Sequence, residues 1–183
     1  MDAKKGGRKD IKLLSEDTVC FFLAAAFLQD QVSPSSIEME VHHPTLPPES
    51  YSAVDVCVHH PDGDIWIEVK LDKTASGFHT HLGYFLNDIC RLALIREGKS
   101  FMLYVAANGM VDRLQKWDSR FVGTDPIFLD ASFFGKLHMD TKKRIKEKVR
   151  ADLNDGAITS VRLVNSPEGH TPVCLLYEIN AHG

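Results

Sequence analysis

No stretch of the chain is apolar for long enough to cross a membrane. The longest apolar run, Val19 to Leu28, is about ten residues, and a spanning helix needs roughly twenty. Cysteine is present but unpaired in pattern. Cys20, Cys57, Cys90 and Cys174 are scattered, form no CxxC and sit in apolar runs, so they read as buried, reduced thiols of a cytoplasmic protein. There is no excess of basic charge, since the formal net charge is -4. Global basicity is therefore no argument for a nucleic-acid partner. GxxxxGK[ST], GxSxG and HExxH are all missing, which removes the phosphate loop, the nucleophile elbow and the commonest zinc-protease signature. His42-His43, His59-His60 and the His79/His81 pair lack closed zinc-site spacing, and no cysteine partners them at such spacing.

What is present suits one folded domain. The 183 residues are 44% hydrophobic and 25% charged, which excludes a disordered chain and predicts a single domain over 1–183. Residues 1–10 form a basic arm expected to be flexible. Charge is uneven. Residues 38–72 hold eight acids against Lys70 alone, whereas residues 141–150 hold six bases and one acid. The basic run is a solvated helix face or a set of phosphate contacts at Lys142, Lys143, Arg144 and Lys146.

Periodicity gives the elements. Ser15 caps a helix running to about Asp30, with Val19, Phe22, Leu23, Ala26 and Phe27 at helical spacing. Strands are expected at 37–41, 51–60, 64–71, 101–106 and 126–129, and a closing hairpin at 158–164 and 173–179. Further helices are expected at 78–96 and 111–117, and at 132–153 with a break near Asp140. A loop covers 44–50, and a turn covers 166–169. Helices before, between and after strands predict an α/β fold with a central mixed sheet.

The segment from Tyr51 to Asp72 carries the chemistry. An Asp62-Gly63 hairpin turn sets Asp55 opposite Lys70 and Cys57 opposite Glu68. Asp55, Glu68 and Lys70 then share one face, and Val54, Val56, Val58, Ile65, Ile67 and Val69 share the other as the core face. Two carboxylates with a backbone carbonyl such as that of Val69 suit Mg²⁺ or Mn²⁺. Lys70 is placed to assist a water and to stabilise charge on a phosphate. An Asp55–Lys70 ion pair on an exposed hairpin is the plainer alternative.

Asp55, twelve residues, then Glu68-Val69-Lys70 in apolar strands resembles the PD-(D/E)xK nuclease superfamily. Val54 stands where the motif's name has proline. The resemblance spans Ser15 to Ala106. It implies a restriction-endonuclease-like three-layer core, here with a C-terminal helix and β-hairpin added. It also implies a Mg²⁺- or Mn²⁺-dependent nuclease acting on DNA in preference to RNA. The short apolar runs predict no membrane partner, and a homodimer is left open. Asp55, Glu68 and the Val69 carbonyl would hold metal, and Lys70 would assist catalysis. Such families often add an acid from the first helix, and Glu16 fits, although a first-turn acid also answers the helix dipole. Tyr84, Asp88 and Arg91 match no named signature and read as a solvated face. A non-catalytic binding, scaffold or immunity-type module on the same fold is the alternative function.

Overall fold

Alternating strands build the centre of the molecule. The computed structural model describes residues 14–46, 53–147, 149, 151, 158–165 and 172–182. The basic arm 1–10, the end of the 44–50 loop and the 166–169 turn lie outside the described residues. Strands β1 (Ile37–His42), β2 (Ala53–Val58), β3 (Ile65–Asp72), β4 (Lys99–Ala106), β5 (Ile127–Leu129), β6 (Ile158–Asn165) and β7 (Val173–His182) form one sheet. Their order is β1-β2-β3-β4-β7-β6-β5. Only β3 and β4 run parallel, and the other neighbours are antiparallel. The fold is α/β, a seven-stranded mixed sheet flanked by helices.

Helix α1 (Glu16–Gln29) covers one face of the sheet. Ser15 caps it by accepting a hydrogen bond from the Thr18 N–H at 3.1 Å. Its Val19, Cys20, Leu23 and Phe27 pack on Val56, Val58, Ile67 and Val69 in a small core. Helix α2 (Phe78–Leu92) is the crossover a parallel β3–β4 pair requires. It lies on the other face, where Leu82, Phe85, Leu86 and Ile89 join Met102, Tyr104 and Tyr177 in the large core.

Helix α3 (Asn108–Trp117) follows β4, and short helices follow β5. Of the expected helix over 132–153, the described residues show α4 (Ala131–Gly135) and α5 (Met139–Lys142), and residues 147, 149 and 151 are again helical. Asp130 and His138 each cap a new start with a side chain, which favours two short helices over one long one. α5 covers α2 from outside. A methyl group on Gly83 of α2 would lie 2.6 Å from Arg144 Cβ and 2.7 Å from the Thr141 carbonyl oxygen. Among the described residues no helix is long and apolar enough to cross a membrane.

The hairpin register differs from the expected one by two residues. Cys57 pairs with Trp66 and Val58 with Ile65. Pro61 has no N–H to offer a ladder, and it joins a wider turn closed by the Gly63 N–H on the His60 carbonyl at 3.0 Å. Because the shift is an even number, Val56, Val58, Ile67 and Val69 keep their expected face, whereas Val54, expected with them, packs in the other core. The opposite face is not exposed, however. Cys57, Trp66 and Glu68 are all buried beneath α2, so the hairpin is covered on both sides.

Gly98 lets α2 return to the sheet. Its φ is +82°, and a Cβ there would lie 2.0 Å from the Asp64 carbonyl oxygen, which accepts the Lys99 N–H. Gly98→Ala combines a strained backbone with a backbone clash, and a loss of about 3 kcal/mol or more is expected. Urea unfolding measures it. A loss under about 1 kcal/mol would show that this junction can shift.

Candidate active site

The site forms where β2 and β3 separate. Their ladder reaches Val56 and Ile67, and one step further the register sets Asp55 across from Glu68. β3 still has amides facing that gap. The Val69 N–H donates to Asp55 Oδ2 at 2.7 Å, and the Leu71 N–H donates to Glu16 Oε1 at 3.1 Å. A strand residue's N–H and C=O point to the same edge, so the Val69 carbonyl faces the gap beside Asp55. Strict alternation also fails here. Val54 packs in the large core and Val56 in the small one, two residues apart. Glu40 of β1, which falls across from Asp55, has φ +53°. This left-handed residue sits at the step between the two cores.

Helix α2 supplies the other wall. Arg91 is buried, and its Nη1 lies 3.2 Å from Glu68 Oε1 and 3.3 Å from Asp88 Oδ1. Its Nη2 donates to the Ala53 carbonyl at 2.7 Å. Asn87 Nδ2 donates to Asp88 Oδ1 at 3.2 Å. Lys70 does not meet Asp55 as a cross-strand ion pair. Its Nζ lies 3.5 Å from Glu16 Oε1 and 3.4 Å from Asp88 Oδ2.

Four carboxylates therefore surround two cations, Lys70 and Arg91. Burial pushes the Asp55 carboxyl up to about 6, against the Val69 hydrogen bond and with the charges of Glu16 and Asp88 adding to the rise. Burial also drives Glu68 well above the usual carboxylate range, and Asp88 and Asp55 drive it further. Burial alone would lower Lys70, but the charges of Asp88 and Glu16 prevail and raise it, so it stays an ammonium at neutral pH. The site is short of positive charge.

The sequence-derived set Glu16, Asp55, Glu68, Val69 and Lys70 is thus gathered in one place. Asp88 and Arg91 belong with it and not on a solvated face. Tyr84 is exposed, and the Arg144 guanidinium lies 5.3 Å from its ring centroid. The local sequence held the signal. Leu82 to Ile95 has too few polar residues to wet one helix face, so those present must be paired inside. One charged row continues along β3. Asp72 is buried, accepts the Tyr104 hydroxyl at 2.6 Å, and meets His81 Nδ1 at 2.5 Å.

The described bases of the basic segment meet different partners. Lys142 Nζ donates to the Gly135 carbonyl at 2.8 Å, and Lys143 Nζ lies 3.7 Å from Asp140. Lys146 reaches the site's rim. Its N–H donates to Asn87 Oδ1 at 3.0 Å, and burial and Arg91 lower its ammonium while Asp88 opposes them. The side chains of Lys148 and Arg150 lie outside the described residues.

The donors suit a hard divalent cation. Carboxylate and carbonyl oxygens match Mg²⁺ or Mn²⁺. No protein-family model, curated protein or solved structure matches the chain.

Proposed function

We propose that the chain is a metal-dependent nuclease of restriction-endonuclease-like fold, hydrolysing phosphodiesters of nucleic acid, DNA in preference to RNA. One observation carries the reading. Asp55 and Glu68, on the two strands of a split hairpin, stand with Glu16 and Asp88 as four carboxylates against the two cations Lys70 and Arg91. The order of α1, the hairpin, α2 and β4 matches what the sequence resemblance implies.

Asp55, Glu68 and the Val69 carbonyl would hold Mg²⁺ or Mn²⁺. A bound cation would supply Lewis acidity at the phosphate and a lowered pKa for water. The protein's own share is positioning and charge. The Val69 N–H fixes the Asp55 carboxylate, and Arg91 fixes Glu68. Lys70 is charged and held between Glu16 and Asp88, so it acts as a hydrogen-bond donor to developing phosphate charge and not as a base. Glu16 orients Lys70 and secures β3 through Leu71. Lys142, Lys143, Arg144, Lys146 and the arm from Lys4 to Lys9 are the backbone-phosphate contacts in this reading.

A cleavage panel tests it, with single-stranded, duplex and branched DNA and RNA, each with Mg²⁺, Mn²⁺ or EDTA. The expected result is metal-dependent cleavage of at least one DNA form, abolished by EDTA. No cleavage of any substrate overturns it. The self-contained ion pairs of Lys70 and Arg91 favour the second reading in that event, a binding module on the same fold.

A further inference from the structure

The far end of the same hairpin gathers a different kind of donor. Cys57 Sγ, His59 Nδ1 and Asp64 Oδ1 all lie within 4.8 Å of one another, and among the described residues they are the one such group of three metal-ligating side chains. His59 Nδ1 is 3.9 Å from Cys57 Sγ and 3.1 Å from Asp64 Oδ1. Ligands of a tetrahedral zinc ion stand roughly 3.4–3.6 Å apart, given its bond lengths near 2.0–2.3 Å. The three atoms are thus spaced about as such ligands are.

The other ring nitrogen adds a separate observation. His59 Nε2 faces Glu38 Oε1 at 3.4 Å. Without metal the Nδ1–H donates to Asp64, and loss of that proton to solvent on metal binding would free the Nδ1 lone pair while Nε2–H still faces Glu38. A carboxylate behind the second nitrogen is the usual device that orients a metal-binding histidine. The β-sheet builds the arrangement. Glu38 of β1 pairs with Cys57 of β2, His59 follows two residues on along the same face, and Asp64 lies just before β3. The wide turn noted above places Asp64 across from His59, whereas the expected register would have set it against Pro61.

We infer that Cys57, His59 and Asp64 bind a zinc ion, with Glu38 orienting His59 and water completing the coordination. Sulfur, imidazole and one carboxylate suit zinc, whereas the Asp55 and Glu68 oxygens suit Mg²⁺, so donor softness separates the two sites. His59 and Asp64 are part exposed, with side chains 41% and 38% accessible, which gives the ion an entry path, while Cys57 is buried beneath them. Burial keeps the Cys57 thiol protonated in the metal-free chain, with Asp64 and Glu38 adding to the effect. As the Zn–S bond forms, that proton passes to the solvent. The ion would tie β1, β2 and β3 together at the turn, and it does not depend on the nuclease reading.

The test is zinc titration of the chelator-treated full chain, competed against a chromophoric chelator, with Co²⁺ as a spectroscopic stand-in. One zinc per chain and a thiolate-to-cobalt absorption band are expected. His59→Ala and Cys57→Ala should each weaken zinc more than about 100-fold, and Glu38→Gln about 10- to 100-fold. Asp55→Asn should leave zinc unchanged. His59→Ala alters an exposed side chain, so it keeps the test decisive if Cys57→Ala fails to fold. Absent zinc binding, a cobalt complex lacking the thiolate band, undiminished binding by His59→Ala, or loss of zinc in Asp55→Asn would each overturn the assignment.

Discussion

Lys70→Ala is expected to lose cleavage by about 100- to 1,000-fold while still binding Mn²⁺. Lys70 is a charged donor held by Glu16 and Asp88, and it is not a metal ligand. Removing it deepens the local excess of negative charge, so Mn²⁺ affinity should hold or rise. Asp55→Asn should behave differently and weaken both Mn²⁺ binding and cleavage. The Asn carbonyl oxygen can still accept the Val69 N–H, so the split between β2 and β3 survives and a folding defect does not confuse the comparison. Calorimetry with Mn²⁺ and cleavage assays on both variants decide the matter. Unchanged Mn²⁺ binding in Asp55→Asn removes the metal-site reading. Loss of Mn²⁺ in Lys70→Ala would mean that the ammonium organises the ligands rather than the reaction.

The facing of Glu68 and Lys70 on β3 is legible because a two-residue change in the turn leaves parity intact. Asp55 does not follow from parity, since alternation in β2 breaks between Val54 and Val56, and its place is set by the Val69 N–H. The turn itself was misread because Asp62-Gly63 is a strong two-residue signal, and Pro61 before it widened the loop. That same error hid the Cys57, His59 and Asp64 group, since the expected pairing set Cys57 against Glu68 instead of Trp66. Asp88 and Arg91 were misplaced for another reason. Helical periodicity marks the apolar face of α2, but not that Asp88 and Arg91 also turn toward β2 and β3, where Lys70, Glu68 and the Ala53 carbonyl pair with them. Glu16 needed tertiary structure as well. Its bond to the Leu71 N–H exists because β3 outruns β2, a length difference that alternation alone does not reveal.

Arg91→Met is expected to cost about 3–5 kcal/mol of stability at neutral pH. The arginine is the cation between two buried carboxylates, and it also satisfies the Ala53 carbonyl. Methionine fills much of the volume, so the loss reads charge and hydrogen bonding more than a cavity. The pH dependence distinguishes these causes. Burial already holds the folded-state Glu68 pKa above its unfolded value, and Arg91 is one of the charges that oppose the rise. Without Arg91 the rise grows. The folded chain then keeps a proton at pH values where the unfolded chain has lost it, so stability increases as pH falls through that interval. The penalty of Arg91→Met relative to the parent should therefore shrink between pH 7.5 and pH 5. Urea unfolding at the two pH values measures it. A penalty of equal size at both would assign Arg91 a packing role, and one below about 1 kcal/mol would show that the carboxylates find other partners. Added Mn²⁺ supplies a second reading of the same balance. If Asp55 and Glu68 hold the ion, it should restore part of the lost stability in Arg91→Met, because a divalent charge then stands beside the carboxylate that the guanidinium left.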